Sequence, residues 1–111
     1  MIWHITTPDG WLKAKTNGEY RADSLQSEGF IHCSTIVQIA ATANRFYAGQ
    51  TGLIVLCIDE NKVAAAVRYE DLNAGDLFPH IYGALNLDAV VMASAYEPGS
   101  DGLFVTPIVE G

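Results

Sequence analysis

Leu53-Ile54-Val55-Leu56-Cys57-Ile58 is an unbroken apolar run, which fits a strand at the centre of a sheet, covered on both faces. Every other segment must then supply its neighbours or its covering layers. With 111 residues, half of them apolar, the chain can build one such core and is expected to form a single domain over residues 1–111. This run and Ala89 to Ala93 are too short to span a bilayer, and the start MIWHITTPDGW lacks the basic flank and long apolar stretch of a signal peptide. The protein is expected in the cytoplasm, without a membrane partner.

The flanking segments can be placed around that strand. Ile2-Trp3-His4-Ile5-Thr6 reads as a first strand, followed by a helix start with Thr7 as cap, Pro8 at the first position and Asp9 complementing the dipole. Trp11 and Ala14 share one face of that helix, and Asn17-Gly18 stops it. Residues 19–28 read as polar and irregular, and Gly29 to Cys33 as a second strand. Thr35-Ile36-Val37-Gln38 has the form of a capping box, opening a helix that buries Ile36, Ile39, Ala40, Ala43, Phe46 and Tyr47 and ends at Gly49. After a turn at Asp59 to Lys62, residues 63–69 suggest a helical turn and then a strand ending near Glu70. Phe78 to Gly83 is an extended piece pinned by Pro79, Leu87 to Ala95 a strand, Glu97 to Gly102 a turn, and Leu103 to Thr106 a last strand. The order is that of an α+β fold, a small mixed sheet with two main helices.

Thirteen acids against six bases give a net charge of −7, and the bases are scattered singly, so a nucleic-acid partner is not expected. Cys33 and Cys57 lie in apolar strand-like runs and are expected as reduced core thiols. No feature of the sequence sets an oligomeric state.

Strong motifs are absent: there is no phosphate-cradling glycine loop, no paired-cysteine metal knuckle and no nucleophile elbow. The chemistry-bearing residues are His4, His32 and His80, each in an apolar extended segment, where an imidazole needs a hydrogen-bond partner. They can meet only if their strands are neighbours. Glu70 at a strand end is the first acid candidate and Glu28, ahead of Gly29-Phe30, the second. No histidine pair has the short spacing of a typical metal site, so no metal is assigned, and a tri-histidine hydrolase centre stays as the weakest alternative.

Glu28-Gly29-Phe30-Ile31-His32-Cys33-Ser34-Thr35 with Gln38, and Leu77-Phe78-Pro79-His80-Ile81-Tyr82-Gly83, together with His4-Ile5, Trp11, Gly18-Glu19-Tyr20 and Ser24-Leu25, resemble the bacterial family called domain of unknown function 952 over essentially the whole chain. That family looks like a compact relative of the ADP-ribosyltransferase fold. His4, Trp11, Gly18 and Phe30-Ile31-His32-Cys33 follow the order seen in RNA 2′-phosphotransferases, where a strand histidine, a helix tryptophan, a glycine turn and a second strand histidine succeed one another. The resemblance implies a cleft for NAD or a similar small nucleotide-like ligand, with NAD as substrate and not as resident cofactor. His4 and His32 would line it, with Ser34 and Tyr82 as further ligand contacts. Cleavage of a glycosidic bond would fall to His32, His80 and a carboxylate such as Glu70. The chain is shorter than active transferases and lacks the arginines that RNA 2′-phosphotransferases place around a phosphate. A non-catalytic metabolite-binding or protein-interaction module is therefore the second reading.

Overall fold

The computed structural model describes residues 1–71 and 75–108. The apolar run is β4 (Leu53–Ile58), flanked on both sides by antiparallel partners, β1 (Ile2–Thr6) and β8 (Val90–Tyr96). Side chains alternate between the faces of a strand, so the run splits into two sets. Leu53, Val55 and Cys57 join Trp3 and Ile5 in one core, closed by Ile39, Ala43, Tyr96 and Phe104. Leu56 and Ile58 join Ile2 in the other, with Ala14, Tyr20, Ile31, Cys33, Ile81, Leu85 and Ala89. His4 and Thr6 share the face of Ile2 and are buried with it.

Helix α1 (Pro8–Asn17) forms as its sequence directs. Thr7 Oγ1 accepts from the Gly10 amide at 3.0 Å, and Gly18 (φ 83°) donates its amide to the Ala14 carbonyl in a left-handed cap. Ala14 is buried, and Trp11 packs partly against the same core.

Several elements differ from expectation for local physical reasons. Residues 19–28 contain β2 (Glu19–Tyr20) and α2 (Asp23–Ser27), both too short to show periodicity. The second long helix, α3 (Ile39–Phe46), begins later than Thr35. Gln38 Oε1 does accept from the Thr35 amide at 3.0 Å, half of the capping box. The Thr35 carbonyl, however, takes both the Gln38 and Ile39 amides, a tight turn that leaves Ile36 and Phe46 exposed and buries only Ile39 and Ala43.

In place of one mixed sheet, the described residues form three antiparallel ones: the β4 sheet, a β2 pair with β7 (Leu85–Asn86), and a third with order β3 (Ile31–His32), β6 (Phe78–Ile81), β5 (Val67–Glu70). The fold is thus a small mixed α/β arrangement, with three α-helices among the described residues. The helical turn expected in residues 63–69 lies upstream at Glu60–Lys62, and a second one, Leu87–Ala89, delays β8 to Val90. No strand forms at 103–106. Instead the Asn44 side chain takes the place of a neighbouring strand, accepting from the Phe104 amide at 2.8 Å and donating to its carbonyl at 3.0 Å.

Cys33 and Cys57 are free and buried, and burial pushes the Cys33 thiol well above its ordinary range. Among the described residues, no helix is long and apolar enough to cross a membrane.

Asn44→Ala should destabilise the protein by about 1–3 kcal/mol, since both Phe104 backbone groups lose their partner. Urea denaturation measures the loss, and hydrogen exchange at the Phe104 amide locates it. Unchanged protection of that amide would contradict the surrogate-strand role.

Candidate functional site

The site is built where the chain passes from the third sheet to the first. In an antiparallel ladder, backbone groups point alternately to the two sides. Ile31 and Cys33 face β6, where Cys33 donates to the Pro79 carbonyl at 3.0 Å, while Ser34 faces β1 and exchanges two 2.8 Å hydrogen bonds with Trp3. His32 also turns its carbonyl away from β6, and His4 Nδ1 donates to it at 2.5 Å.

That bond fixes the chemistry of His4. With Nδ1 donating, Nε2 of the neutral ring is an acceptor, and the Tyr20 hydroxyl 2.7 Å away supplies the proton. Thr6 Oγ1 also lies within hydrogen-bond distance of the Tyr20 hydroxyl, at 3.0 Å. Burial brings the His4 pKa down to about 4, the carbonyl bond opposing this only in part, and burial also raises Tyr20 to about 12. His4 is a neutral tie between elements. Both its nitrogens are engaged within the protein, by the His32 carbonyl and the Tyr20 hydroxyl.

His32 and His80 stand directly opposite each other on β3 and β6, their ring centroids 5.4 Å apart at an angle of 75°. His32 Nε2 lies 2.8 Å from Glu28 Oε2, on the half-exposed side of the site. His80 is buried, its ring stacked on Phe30 at 4.2 Å, with Nδ1 3.0 Å from Glu70 Oε1. The same Glu70 oxygen accepts a short bond from the Tyr82 hydroxyl. The Tyr82 bond, followed by the His80 bond, holds the Glu70 carboxyl below its ordinary range, and the same carboxylate raises Tyr82. Among the described residues, Nδ1 of His32 and Nε2 of His80 have no protein partner.

A cavity of about 710 Å³ opens on this corner, with His4, His32, Ser34 and His80 on its wall. Glu70 and Tyr82, expected to meet the ligand, are not among the residues that line this space; they bond to each other, and Glu70 bonds to His80. Ser34 Oγ lies 3.2 Å from Thr42 Oγ1, within the wall. The sequence did not single out Tyr20, Arg21, Thr42, Arg45 and Phe46, which also line the space. Two of the six basic side chains, Arg21 and Arg45, therefore reach one cavity in an acidic protein. Arg21 is paired with Glu19, whereas Arg45 lies over the exposed Phe46 ring at 5.0 Å with no carboxylate partner among the described residues. The Trp3 ring borders the same space, and its buried Nε1 has no partner among the described residues.

Among the described residues, no group of three or more histidine, cysteine or acidic side chains could hold a metal ion. Of the three histidines in the tri-histidine alternative, His4 has both nitrogens engaged in hydrogen bonds within the protein.

A model of the family described as a protein of unknown function (DUF952) matches residues 5–93. The chain belongs to DUF952. The matched stretch takes in His32, Glu70, His80 and Tyr82. This DUF952 chain is similar to the crystal structure of protein CC0527 from Caulobacter crescentus, with a TM-score of 0.85 and 27% identity over 94% of this chain and 92% of that one. It is also similar to the solution NMR structure of CC0527, with a TM-score of 0.80 and 27% identity over 92% and 89% of the two chains. No curated protein matches it.

The depressed His4 pKa sets the sign of an acid effect. Between the unfolded value of 6.5 and the folded value of about 4, the unfolded state binds a proton that the native state refuses. This contribution is present above pH 6.5 and is lost as pH falls toward 4, amounting to about 3 kcal/mol. Urea melts across that range should show the wild type losing stability more steeply than His4→Gln. Equal slopes would remove His4 as the cause.

Proposed function

We propose that this domain binds a small, anionic, ring-bearing ligand of the NAD or ADP-ribose kind in the cavity at the His32–His80 corner. The observation that carries this reading is the meeting of two imidazoles with Arg45, a cation without a carboxylate partner among the described residues, at one opening in a chain of net charge −7. A guanidinium matches phosphate oxygens, and the exposed Phe46 ring beside it offers a face for a base. The cavity volume of about 710 Å³ suits a molecule of that size. The order of His4, Trp11, Gly18 and His32 supports kinship with the ADP-ribosyltransferase fold, although kinship of fold carries no reaction with it.

ADP-ribosyl transfer or hydrolysis is the less supported part. An oxocarbenium-like centre needs a carboxylate beside the ribose. Among the described residues, the cavity wall carries one acid, Asp23, and it is exposed, while Glu70 is committed to His80 and Tyr82. That placement favours binding over glycosidic cleavage.

Titration with ADP-ribose should shift the ring resonances of His32 and His80 and leave His4 nearly unmoved. Arg45→Ala should weaken binding about tenfold, as expected for loss of a charge-assisted contact. Silence from both rings at millimolar ligand ends the reading.

A further inference from the structure

We infer that His32 and His80 form an acid–base couple that hydrolyses a phosphate ester bond in a small nucleotide-type phosphodiester; this rests on the cavity's taking a nucleotide-like anion. Proton transfer at both ends of a breaking bond requires two groups, one accepting and one donating, within reach of one small substrate. The two rings lie opposite each other across an antiparallel pair, 5.4 Å between centroids, on the wall of one cavity. They are not bonded to each other. Each is tied through one nitrogen to its own carboxylate, His80 Nδ1 to Glu70 at 3.0 Å and His32 Nε2 to Glu28 at 2.8 Å. This leaves His80 Nε2 and His32 Nδ1 for separate oxygens of the ligand.

The bracing also assigns the roles. With Nδ1–H donated to the Glu70 carboxylate, His80 carries its lone pair on Nε2 and acts as base. The stack on Phe30 and the Tyr82 bond to Glu70 hold ring and carboxylate in that orientation. His32, braced through Nε2 by Glu28 and more open to solvent than His80, acts as acid through Nδ1. His80 Nε2 takes a proton from water as the water oxygen bonds to phosphorus. The bond from phosphorus to the sugar oxygen breaks, and that oxygen takes the proton from His32 Nδ1. One water is added across one P–O bond, and solvent restores both rings. Arg45 faces the phosphoryl oxygens, whose charge grows as the bond forms. A sugar alkoxide is a poor leaving group without such a proton, so an ester of a sugar oxygen is the substrate class that gains most from a second imidazole.

His32 and His80 are then the catalytic residues, and Glu70 is a positioning residue acting through His80. The probe is adenosine 2′,3′-cyclic phosphate with the full chain, followed by phosphorus NMR, with ADP-ribose binding read on the same preparation from the histidine ring shifts. The diester signal should give way to a monoester, and His32→Ala and His80→Ala should each slow conversion by about 100-fold or more. Glu70→Gln should lower kcat about tenfold and leave KM unchanged, a split that a merely structural role would not produce. If His80→Ala does not fold by circular dichroism, His80→Gln, whose amide can hydrogen-bond in place of the ring but takes up no proton, takes its place. Binding of ADP-ribose with an intact diester overturns the acid–base couple and leaves the ligand reading standing; neither binding nor conversion overturns both. Conversion that survives in the His80 variant also overturns the couple.

Discussion

The carbonyl of His32 is the group on which the join between the two larger sheets depends. It points away from β6 at the place where the chain leaves β3, and a carbonyl withdrawn from water without a donor costs roughly 1–3 kcal/mol. His4 supplies the donor from the strand next door. Once Nδ1 is committed there, the tautomer of His4 is set, Tyr20 must donate to it, and β2 is fastened to the same point. The Trp3–Ser34 pair closes the corner beside it. A single backbone oxygen thus links β1, β2 and β3 and leaves the His32 side chain free of that duty, facing His80.

The parts of the fold that could be read in advance are those whose signal is local and repeated. The run 53–58, buried on both faces, has no other comfortable home than a sheet centre, and Thr7-Pro8-Asp9 with Gly18 marks both ends of α1 through groups that sit next to the bonds they make. The parts that could not be read are decided by distant partners. Tyr20 is buried because His4 and Thr6 meet its hydroxyl, and residues 103–106 are held by side chains in place of a ladder, Asn44 from α3 on Phe104 and Tyr96 from β8 on Val105. In Thr35-Ile36-Val37-Gln38 the glutamine bonds both back to Thr35 and across to the Leu77 carbonyl, and the turn it makes rotates Ile36 and Phe46 outward.

The candidate site divides along the same line. That His4, His32 and His80 border one space follows from strands being neighbours, a consequence of pattern; that His4 is spent on the backbone while the other two each keep a nitrogen free is a matter of hydrogen-bond geometry that no spacing reveals. Glu70 was identifiable as an acid at a strand end, but its position behind His80 follows from the diagonal neighbour relation between β5 and β6 and from the hydroxyl of Tyr82. Arg45 belongs to the exposed side of a helix whose apolar face gives no hint of a cavity beside it.

The two buried cysteines are placed so that they can act as internal gauges of opening. Cys33 lies at the corner between the third sheet and the first, and Cys57 in the central strand, both shut off from solvent. Only a thiolate reacts with alkylating reagents, and a thiol held in an apolar interior scarcely ionises. Labelling of Cys33 therefore waits for the corner to part, and labelling of Cys57 waits for the middle of the molecule to come undone. A small electrophile added to the native chain would time two separate events, the loosening of the cavity wall and the loss of the whole core, without any probe being engineered into the protein.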